Sequence, residues 1–270
     1  SADHPMRRVT RAVAFDADGW TAERRGKVAD LFDSLAEEWH TRDAPGRDAP
    51  LRDALERGLS AADQVAAVPA LQAAMAAVTT TEVPIVHLDD PDRRPGGSEA
   101  HFGFGDDDDL PSNDPPSGSV AAINDGFRSG FVPRAPRRLC VDIGAGTGLY
   151  STTLAARFPL LLSVDLSGEM LRLAPAGPAI RVQADASTLP LGDGSVDVLV
   201  LANAFLFPHE AQRALAPDGV VIWVNSRGTE TPIHLTADEV DTALPGRWDG
   251  VASQAGWGTW SVHWRAASAP

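Results

Sequence analysis

The chain has 270 residues, which is enough to bury a full hydrophobic core in one large or two small domains. A formal net charge of −14 disfavours unspecific binding to nucleic acid or to anionic membranes, because phosphate groups attract basic surfaces. A single cysteine excludes an internal disulfide. We find neither a signal-peptide stretch nor about 18 uninterrupted apolar residues, so we expect a cytoplasmic protein without a membrane span.

The N-terminal quarter of the chain predicts helices. Residues 1–19 show no regular pattern, but apolar side chains recur every three or four positions over residues 21–40, which predicts a helix with one buried face. Residues 51–59 predict a second helix, and Gly58 either ends this helix or is simply tolerated within it. Residues 60–78 are rich in alanine and also favour helix.

A polar segment separates these helices from the second half of the chain. Residues 82–90 form a strand-like piece, and residues 91–116 are rich in glycine, proline, serine and aspartate, with four adjacent acids at 106–109. Adjacent acids repel each other, and the ligand spacing of a calcium loop is missing, so we expect a flexible, solvated loop. From position alone we expect residues 60–134 to form an insert or lid over the ends of the strands.

Strands and helices alternate from residue 138 onwards, which predicts a mostly parallel sheet with helices on both faces. In the last expected strand, Trp260, Val262 and Trp264 alternate with polar residues, which predicts one buried face. We therefore expect an α/β fold with a Rossmann-like, doubly wound sheet of seven strands over residues 136–270. Residues 1–135 are expected to form a helical N-terminal extension that includes the lid or insert.

The first expected strand leads into a glycine-rich loop. Glycine permits tight turns and close approach of a ligand to the backbone, and the helix expected next, with Thr147 as its N-cap, presents free N–H groups. The acid Asp142 precedes the loop. The third glycine of the dinucleotide pattern GxGxxG falls at Leu149, so the spacing disfavours a dinucleotide. The glycines stand at alternate positions: Gly144, Gly146 and Gly148.

Four motifs in order resemble the class I S-adenosylmethionine (SAM)-dependent methyltransferases. The stretch from Leu139 to Tyr150 resembles motif I of that family, and Asp165 follows at the end of the second strand. The block ADASTLPLGDGSVDVLVLAN resembles the family's third and fourth strands, and LAPDGVVIWV resembles the turn before its fifth strand. The resemblance implies SAM as cofactor, with the loop backbone at its methionine part and Asp142 near its amino end.

The polar residues at the strand ends are the expected binding residues, because parallel strands end at one edge of the sheet. Asp165 can accept both ribose hydroxyls, with Leu166 beside the adenine. The resemblance assigns Asp185 to the adenine amino group, and Asn203 is expected near the methyl donor or the substrate. The expected cofactor-binding residues are Asp142, Gly144, Ala145, Gly146, Gly148, Asp165, Leu166, Asp185, Ala186, Asn203 and Ala204.

Methyl transfer to oxygen usually requires removal of a proton, and histidine is the commonest base. His209 follows the fourth strand and is the first candidate, and His40, where the N-terminal helix ends, is the second. Trp39 beside it is either a core residue or an aromatic side chain that closes over SAM. The histidines are scattered and there is one cysteine, so we expect no metal site.

We expect a SAM-dependent methyltransferase that acts on an oxygen or nitrogen atom of a small-molecule acceptor. One alternative is a protein with this fold and a non-methylating role, such as a cyclase or a sensor, which the unassigned residues 60–134 favour. Another alternative is an RNA or protein methyltransferase. The negative net charge of the chain disfavours an RNA acceptor. The glycine spacing disfavours a dehydrogenase, and the sequence leaves the oligomeric state open.

Overall fold

The computed structural model describes residues 4–39, 45–67, 86–88 and 136–266. The expectations for the acidic loop at 91–116, for most of the lid or insert and for His40 lie outside the described residues. Within those ranges, no helix combines the length and the apolar character needed to cross a bilayer.

One mixed sheet of eight strands lies at the centre of the molecule. Its strands are β1 (Val86–Leu88), β2 (Leu139–Ile143), β3 (Leu160–Asp165), β4 (Ile180–Gln183), β5 (Val196–Ala202), β6 (Leu215–Asn225), β7 (Trp248–Ala255) and β8 (Gly258–Arg265). They are ordered β1-β7-β8-β6-β5-β2-β3-β4 across the sheet. Neighbours among β2 to β6 run parallel, whereas β8 is antiparallel to β6 and β7. The expected seven-stranded, doubly wound sheet is confirmed, and β1 adds a parallel edge strand beside β7.

Helices cover both faces of this sheet. They are α1 (Pro5–Phe15), α2 (Ala22–Trp39), α3 (Ala49–Asp53), α4 (Leu59–Ala67), α5 (Ser151–Ala155), α6 (Gly168–Leu173), α7 (Pro208–Ala214) and α8 (Ala237–Ala243), with the π-helical segment Ala54–Gly58 between α3 and α4. Alternate residues of β5 belong to two buried apolar clusters, one containing Leu199 and the other Val198. Side chains alternate across a strand, so the clusters lie on opposite faces. Val28 of α2 joins the first cluster and Leu51 of α3 joins the second, so the N-terminal helices share both cores.

The expectation that residues 1–19 are irregular is wrong, because Pro5–Phe15 form α1. Pro5 lies in the first turn, where an amide hydrogen has no partner within the helix. The side chain of His4 caps the helix, since its Nδ1 accepts from the amide of Met6 at 3.1 Å. The buried face consists of only three residues, which is too short for a clear periodic pattern: Thr10, Val13 and Ala14.

Three local predictions in the second half are also wrong. Thr147 is buried within the turns of the glycine loop and does not cap the next helix, which begins only at Ser151. The turn expected at residues 216–219 is part of β6, whose first residue pairs with β5. The strand β8 is buried on both faces, because side chains pointing to either face are covered: Val262 and His263 are both 0% exposed.

Gly58 continues the helical segment instead of ending it, and it packs directly on β8. A Cβ atom at Gly58 would lie 2.5 Å from Cγ2 of Val262 and 2.8 Å from Cζ3 of Trp260. We expect Gly58→Ala to lower the free energy of unfolding by about 1–3 kcal/mol through overpacking, as measured by urea unfolding.

Gly26→Ala in α2 is the matched control for that substitution. Its Cβ atom would meet no other atom within 4 Å, so the change should raise the free energy of unfolding by roughly 0.5–1 kcal/mol through helix propensity. Equal stability of the two variants would contradict the close packing of Gly58 on β8.

Candidate functional site

A cleft, termed here the inner cleft, opens at the carboxyl ends of the central parallel strands. Its volume is about 850 Å³ including its open mouth. Open α/β sheets bind their ligands at this edge. Every expected cofactor-binding residue lines this inner cleft except Asp142 and Gly148. The N-terminal segment contributes further lining residues that the sequence did not assign to a site: Trp20, Val28, Phe32 and Arg47.

The glycine loop has a backbone that only glycine adopts easily. Its three glycines have positive φ angles of 66°, 57° and 76°. A Cβ atom at Gly144 would lie 2.8 Å from Cβ of Ala204, and one at Gly146 would lie 3.4 Å from Nε1 of Trp39. The loop is therefore packed between the end of β5 and the end of α2. Trp39 lines the inner cleft from above this loop and is not simply a core residue.

Asp165, the last residue of β3, is fixed by backbone amides. Its Oδ2 accepts from the N–H of Gly146 at 2.7 Å and its Oδ1 accepts from the N–H of Ser167 at 2.8 Å. Burial raises the pKa of Asp165, although these amide hydrogen bonds lower it. Asp165 lines the cleft, and a carboxylate has two oxygens that can each accept more than one hydrogen bond, which suits a vicinal diol.

Asp142 in β2 is 1% exposed, and its Oδ2 has no hydrogen-bond partner within the described ranges. Burial, followed by the charge of Asp165, raises the pKa of Asp142 to about 8. The hydroxyls of Thr147 and Tyr150 are likewise buried without a hydrogen-bond partner in the described part of the chain. A cationic ligand with several hydrogen-bonding groups fits this set, because it would favour the ionised carboxylate and satisfy buried polar atoms.

Asp185 follows β4 and is already engaged by the protein. Its carboxylate accepts from Nε1 of Trp20 at 3.1 Å, from Nη1 of Arg25 at 3.2 Å and from the N–H of Ser187 at 2.8 Å. Burial raises the pKa of Asp185, but these donors outweigh it and hold the pKa below its ordinary value. The indole N–H of Trp20 therefore occupies an acceptor position that the sequence assigned to an adenine amino group.

Trp20 closes this end of the inner cleft with two aromatic neighbours. Its ring centroid lies 5.7 Å from that of Phe205 and 5.3 Å from that of Phe207. No sequence pattern predicts this contact, because Trp20 lies in the short connection between α1 and α2 and meets residues far along the chain, in the segments that follow β4 and β5.

Asn203 stands at the end of β5 in a strained conformation. Its φ of 57° is positive, which no other non-glycine residue in the described part of the chain shows. Its Nδ2 donates to Oγ of Ser226 at 2.9 Å, and the N–H of Ser226 donates back to its Oδ1 at 2.9 Å. This reciprocal pair holds Asn203 where the inner cleft meets a second cavity.

That second cavity, termed here the outer cavity, has a volume of about 1550 Å³ including its open mouth. Residues that line both spaces come from α2, from the segment before α3, from the end of β5 and from the segment before α8: Phe32, Trp39, Arg47, Asn203 and Ile233. The site is therefore bipartite, with one compartment on the glycine loop and one beyond it.

The structure does not bring His209 to either cavity. His209 is exposed on α7. The buried face of this helix consists of Pro208, Ala211 and Ala214, and His209 lies outside that face. It lines neither compartment, so we do not retain it as a base. His40 lies outside the described residues. Within those residues no three histidine, cysteine, aspartate or glutamate side chains are grouped to hold a metal ion.

Comparisons with known proteins agree with this architecture. Residues 141–223 match the family model described as a methyltransferase domain. A malonyl-[acyl-carrier protein] O-methyltransferase from Dechloromonas aromatica is 38% identical over 100 residues, which are 34% of this chain and 37% of that protein. A trans-aconitate 2-methyltransferase from Paracidovorax citrulli is 34% identical over 128 residues, which are 43% of this chain and 49% of that protein.

The matches cover only part of each relative, since the aligned residues span between a third and a half of these two curated proteins. The crystal structure of a SAM-dependent methyltransferase from Aquifex aeolicus aligns with 53% of this chain and 87% of that chain, at 17% identity and a TM-score of 0.39. The segment that matches the family model begins in β2 and ends in β6, so it includes the glycine loop, Asp165, Asp185 and Asn203. Residues 141–223 of this chain thus match a methyltransferase domain, and the sheet order around them is that of the class I SAM-dependent methyltransferases.

Proposed function

We propose that the protein transfers a methyl group from SAM to an oxygen or nitrogen atom of a small-molecule acceptor. The observation that carries this proposal is Asp165, whose carboxylate is fixed by two backbone amides at the edge of the inner cleft. Bound SAM would supply a methyl group on a sulfonium that leaves as a neutral thioether. The protein then mainly has to align donor and acceptor.

The residues of the inner cleft have distinct proposed roles. Asp165 would accept the ribose hydroxyls, the glycine loop would carry the methionine part, and Asp142 would neutralise the amino end. The carboxylate of Asp185 would accept from the adenine amino group, either together with the indole N–H of Trp20 or in place of it. Trp39 and the aromatic group around Trp20 would exclude water from the transfer.

Small-molecule acceptors are supported by the names of the relatives and by the charge of this chain. The two relatives are named for malonyl-[acyl-carrier protein] and trans-aconitate. A net charge of −14 opposes an RNA acceptor. We also propose that residues 136–270 form the SAM-binding domain and that the N-terminal part contributes the acceptor side.

Calorimetric titration with SAM and with its demethylated product, S-adenosylhomocysteine (SAH), tests this proposal. We expect both to bind at micromolar concentration and NAD to bind far more weakly. No SAM binding at high micromolar concentration, together with tight binding of NAD, would refute it. Label transferred from tritiated SAM to a small-molecule extract distinguishes a methyltransferase from a SAM-binding cyclase or sensor, which would bind without transfer.

Binding of SAM should release a proton from Asp142. Its pKa of about 8 in the free protein leaves it mostly protonated at pH 7, and the positive charge of SAM should lower this pKa. Fewer protons are then bound in the complex, so the affinity should rise by up to about tenfold per pH unit below pH 8 and level off above it. Calorimetry in buffers of different ionisation enthalpy measures the release.

Asp142→Asn provides the control for this linkage, because its amide has nearly the same shape but does not titrate. The variant should bind SAM with a heat that no longer depends on the buffer. A buffer-independent heat for the unmodified protein at pH 7 would contradict the role given to Asp142.

A further inference from the structure

The outer cavity is lined mainly by apolar side chains that remain open to solvent. Leu31 is 41% exposed and Trp257 is 71% exposed. Both line the cavity, with Leu35 on the same helix as Leu31 and Trp257 at the turn between β7 and β8. Exposed large apolar residues around one concavity mark a binding surface for an apolar group.

The charged residues that line the outer cavity are all basic. Arg47 and Arg227 line it, whereas no aspartate or glutamate is among its described lining residues. This is unusual in a chain with a net charge of −14. The guanidinium of Arg227 is exposed and makes no hydrogen bond or ion pair with another described residue. The electrostatics of this cavity therefore favour an anion.

Arg47 stands at the junction of the outer cavity and the inner cleft. It lines both, and its positive charge acts on the Tyr150 hydroxyl, whose pKa is nevertheless raised by burial. Asn203 lies at the same junction, and Ser226 lines the outer cavity beside it. The Ser226 hydroxyl accepts from Asn203 through Oγ and carries one proton that it can donate.

We propose that the outer cavity binds a carboxylic acid with an apolar body, and that this carboxylate is the methyl acceptor. The inference rests on the proposed function. Arg47 and Arg227 bind the anion, Ser226 orients one of its oxygens, and the apolar body lies against Leu31 and Trp257. Charge-assisted contacts of this kind give arginine its preference for carboxylates.

A carboxylate also explains how transfer proceeds without a general base. Its oxygen donates the electron pair that forms the new oxygen–methyl bond, while the carbon–sulfur bond breaks and its pair goes to sulfur. The products are a methyl ester and neutral SAH, and no proton moves. In the described part of the outer cavity the one lining histidine is His4, whose Nδ1 already accepts from Met6.

The test compares three probes of equal chain length on protein saturated with SAH: octanoate, 1-octanol and octylamine. Calorimetry should show that octanoate binds about tenfold tighter or more than the other two, because only it carries the anion. In mixtures with tritiated SAM, the label should appear in octanoate as an ester that releases methanol in mild alkali.

Arg227→Gln, at a residue that lines only the outer cavity, should weaken octanoate binding by about tenfold and leave SAH binding within about twofold. Arg47→Gln should also weaken octanoate binding by about tenfold. Arg157→Gln is the matched control, since Arg157 is exposed and lines neither compartment. It should bind octanoate like the unmodified protein.

Different failures separate the two proposals. Absence of SAH binding would overturn the proposed function itself. Normal SAH binding with equal or tighter binding of 1-octanol or octylamine would overturn only the carboxylate assignment, as would label on octylamine or unchanged octanoate affinity in both arginine variants.

Discussion

Replacing Asp165 with alanine should weaken the binding of SAH by more than about 100-fold. Two hydrogen bonds to a charged group contribute about 1.5–3 kcal/mol each, and the variant removes both proposed contacts to the ribose. The same change leaves the amides of Gly146 and Ser167 without their carboxylate partner, so the glycine loop also loses one of its hydrogen bonds to β3. Calorimetric titration with SAH measures the loss.

Two further variants separate binding from folding. In Asp165→Asn one acceptor oxygen is replaced by a donor NH₂ group. This group must face either a backbone N–H donor or the ribose, so the variant should bind SAH nearly as poorly as Asp165→Ala. Asp18→Asn removes an exposed carboxylate with no contact to the cleft and should not change binding. Binding within about threefold of normal in folded Asp165→Ala would contradict the ribose role.

The central sheet could be predicted because its signals are local. The central parallel strands β2, β3 and β5 are short, mostly apolar runs, and the parallel topology brings the acids or amides that end them to one edge of the sheet. Asp165 and Asn203 were located by this reasoning alone, and both line the inner cleft. Ser167 and Thr236 cap α6 and α8 through side-chain oxygens, and a serine or threonine before a helix is an equally local cue.

The rest of the site depends on contacts between distant segments, which leave no periodic trace. Trp20 hydrogen-bonds to Asp185 across 165 positions, and no property of the connection before α2 indicates that it reaches β4. Arg47 and Arg227 line one cavity although α3, α4 and strands β1 to β6 separate them in sequence. His209 follows β5, so the topology correctly indicated that it lies near the edge of the sheet where the strands end. Which way its side chain points depends on the rotation of the seven-residue helix α7, which the sequence pattern does not indicate.

The N-terminal helices therefore complete the site and are not a separate appendage. α2 supplies Phe32 and Trp39 to both compartments, and the connection before it supplies Trp20 to the cleft. A sequence match limited to residues 141–223 includes the glycine loop and omits the N-terminal residues that line both compartments. The match thus indicates the methyl donor, whereas the proposed acceptor is inferred from the outer cavity.

Replacing Gly144 with alanine should both destabilise the protein and abolish binding of SAH. The φ of 66° costs an L-residue about 1–2 kcal/mol, and overpacking adds about 1–3 kcal/mol, because the new Cβ would lie 2.8 Å from Cβ of Ala204. Relief of the clash requires the loop to move away from the end of β5. The N–H of Gly144, which donates to the carbonyl of Val164 at 2.8 Å, would then lose its position at the floor of the cleft.

Gly192→Ala separates this effect from a general cost of replacing loop glycines. Its Cβ atom would meet nothing within 4 Å and its φ is not positive, so stability should change by no more than about 0.5 kcal/mol. Urea unfolding gives the stabilities, and calorimetry at low temperature, where Gly144→Ala is still folded, gives the affinity for SAH. Normal SAH affinity in folded Gly144→Ala would contradict this prediction. It would show that the loop can move away from Ala204 and still bind SAH.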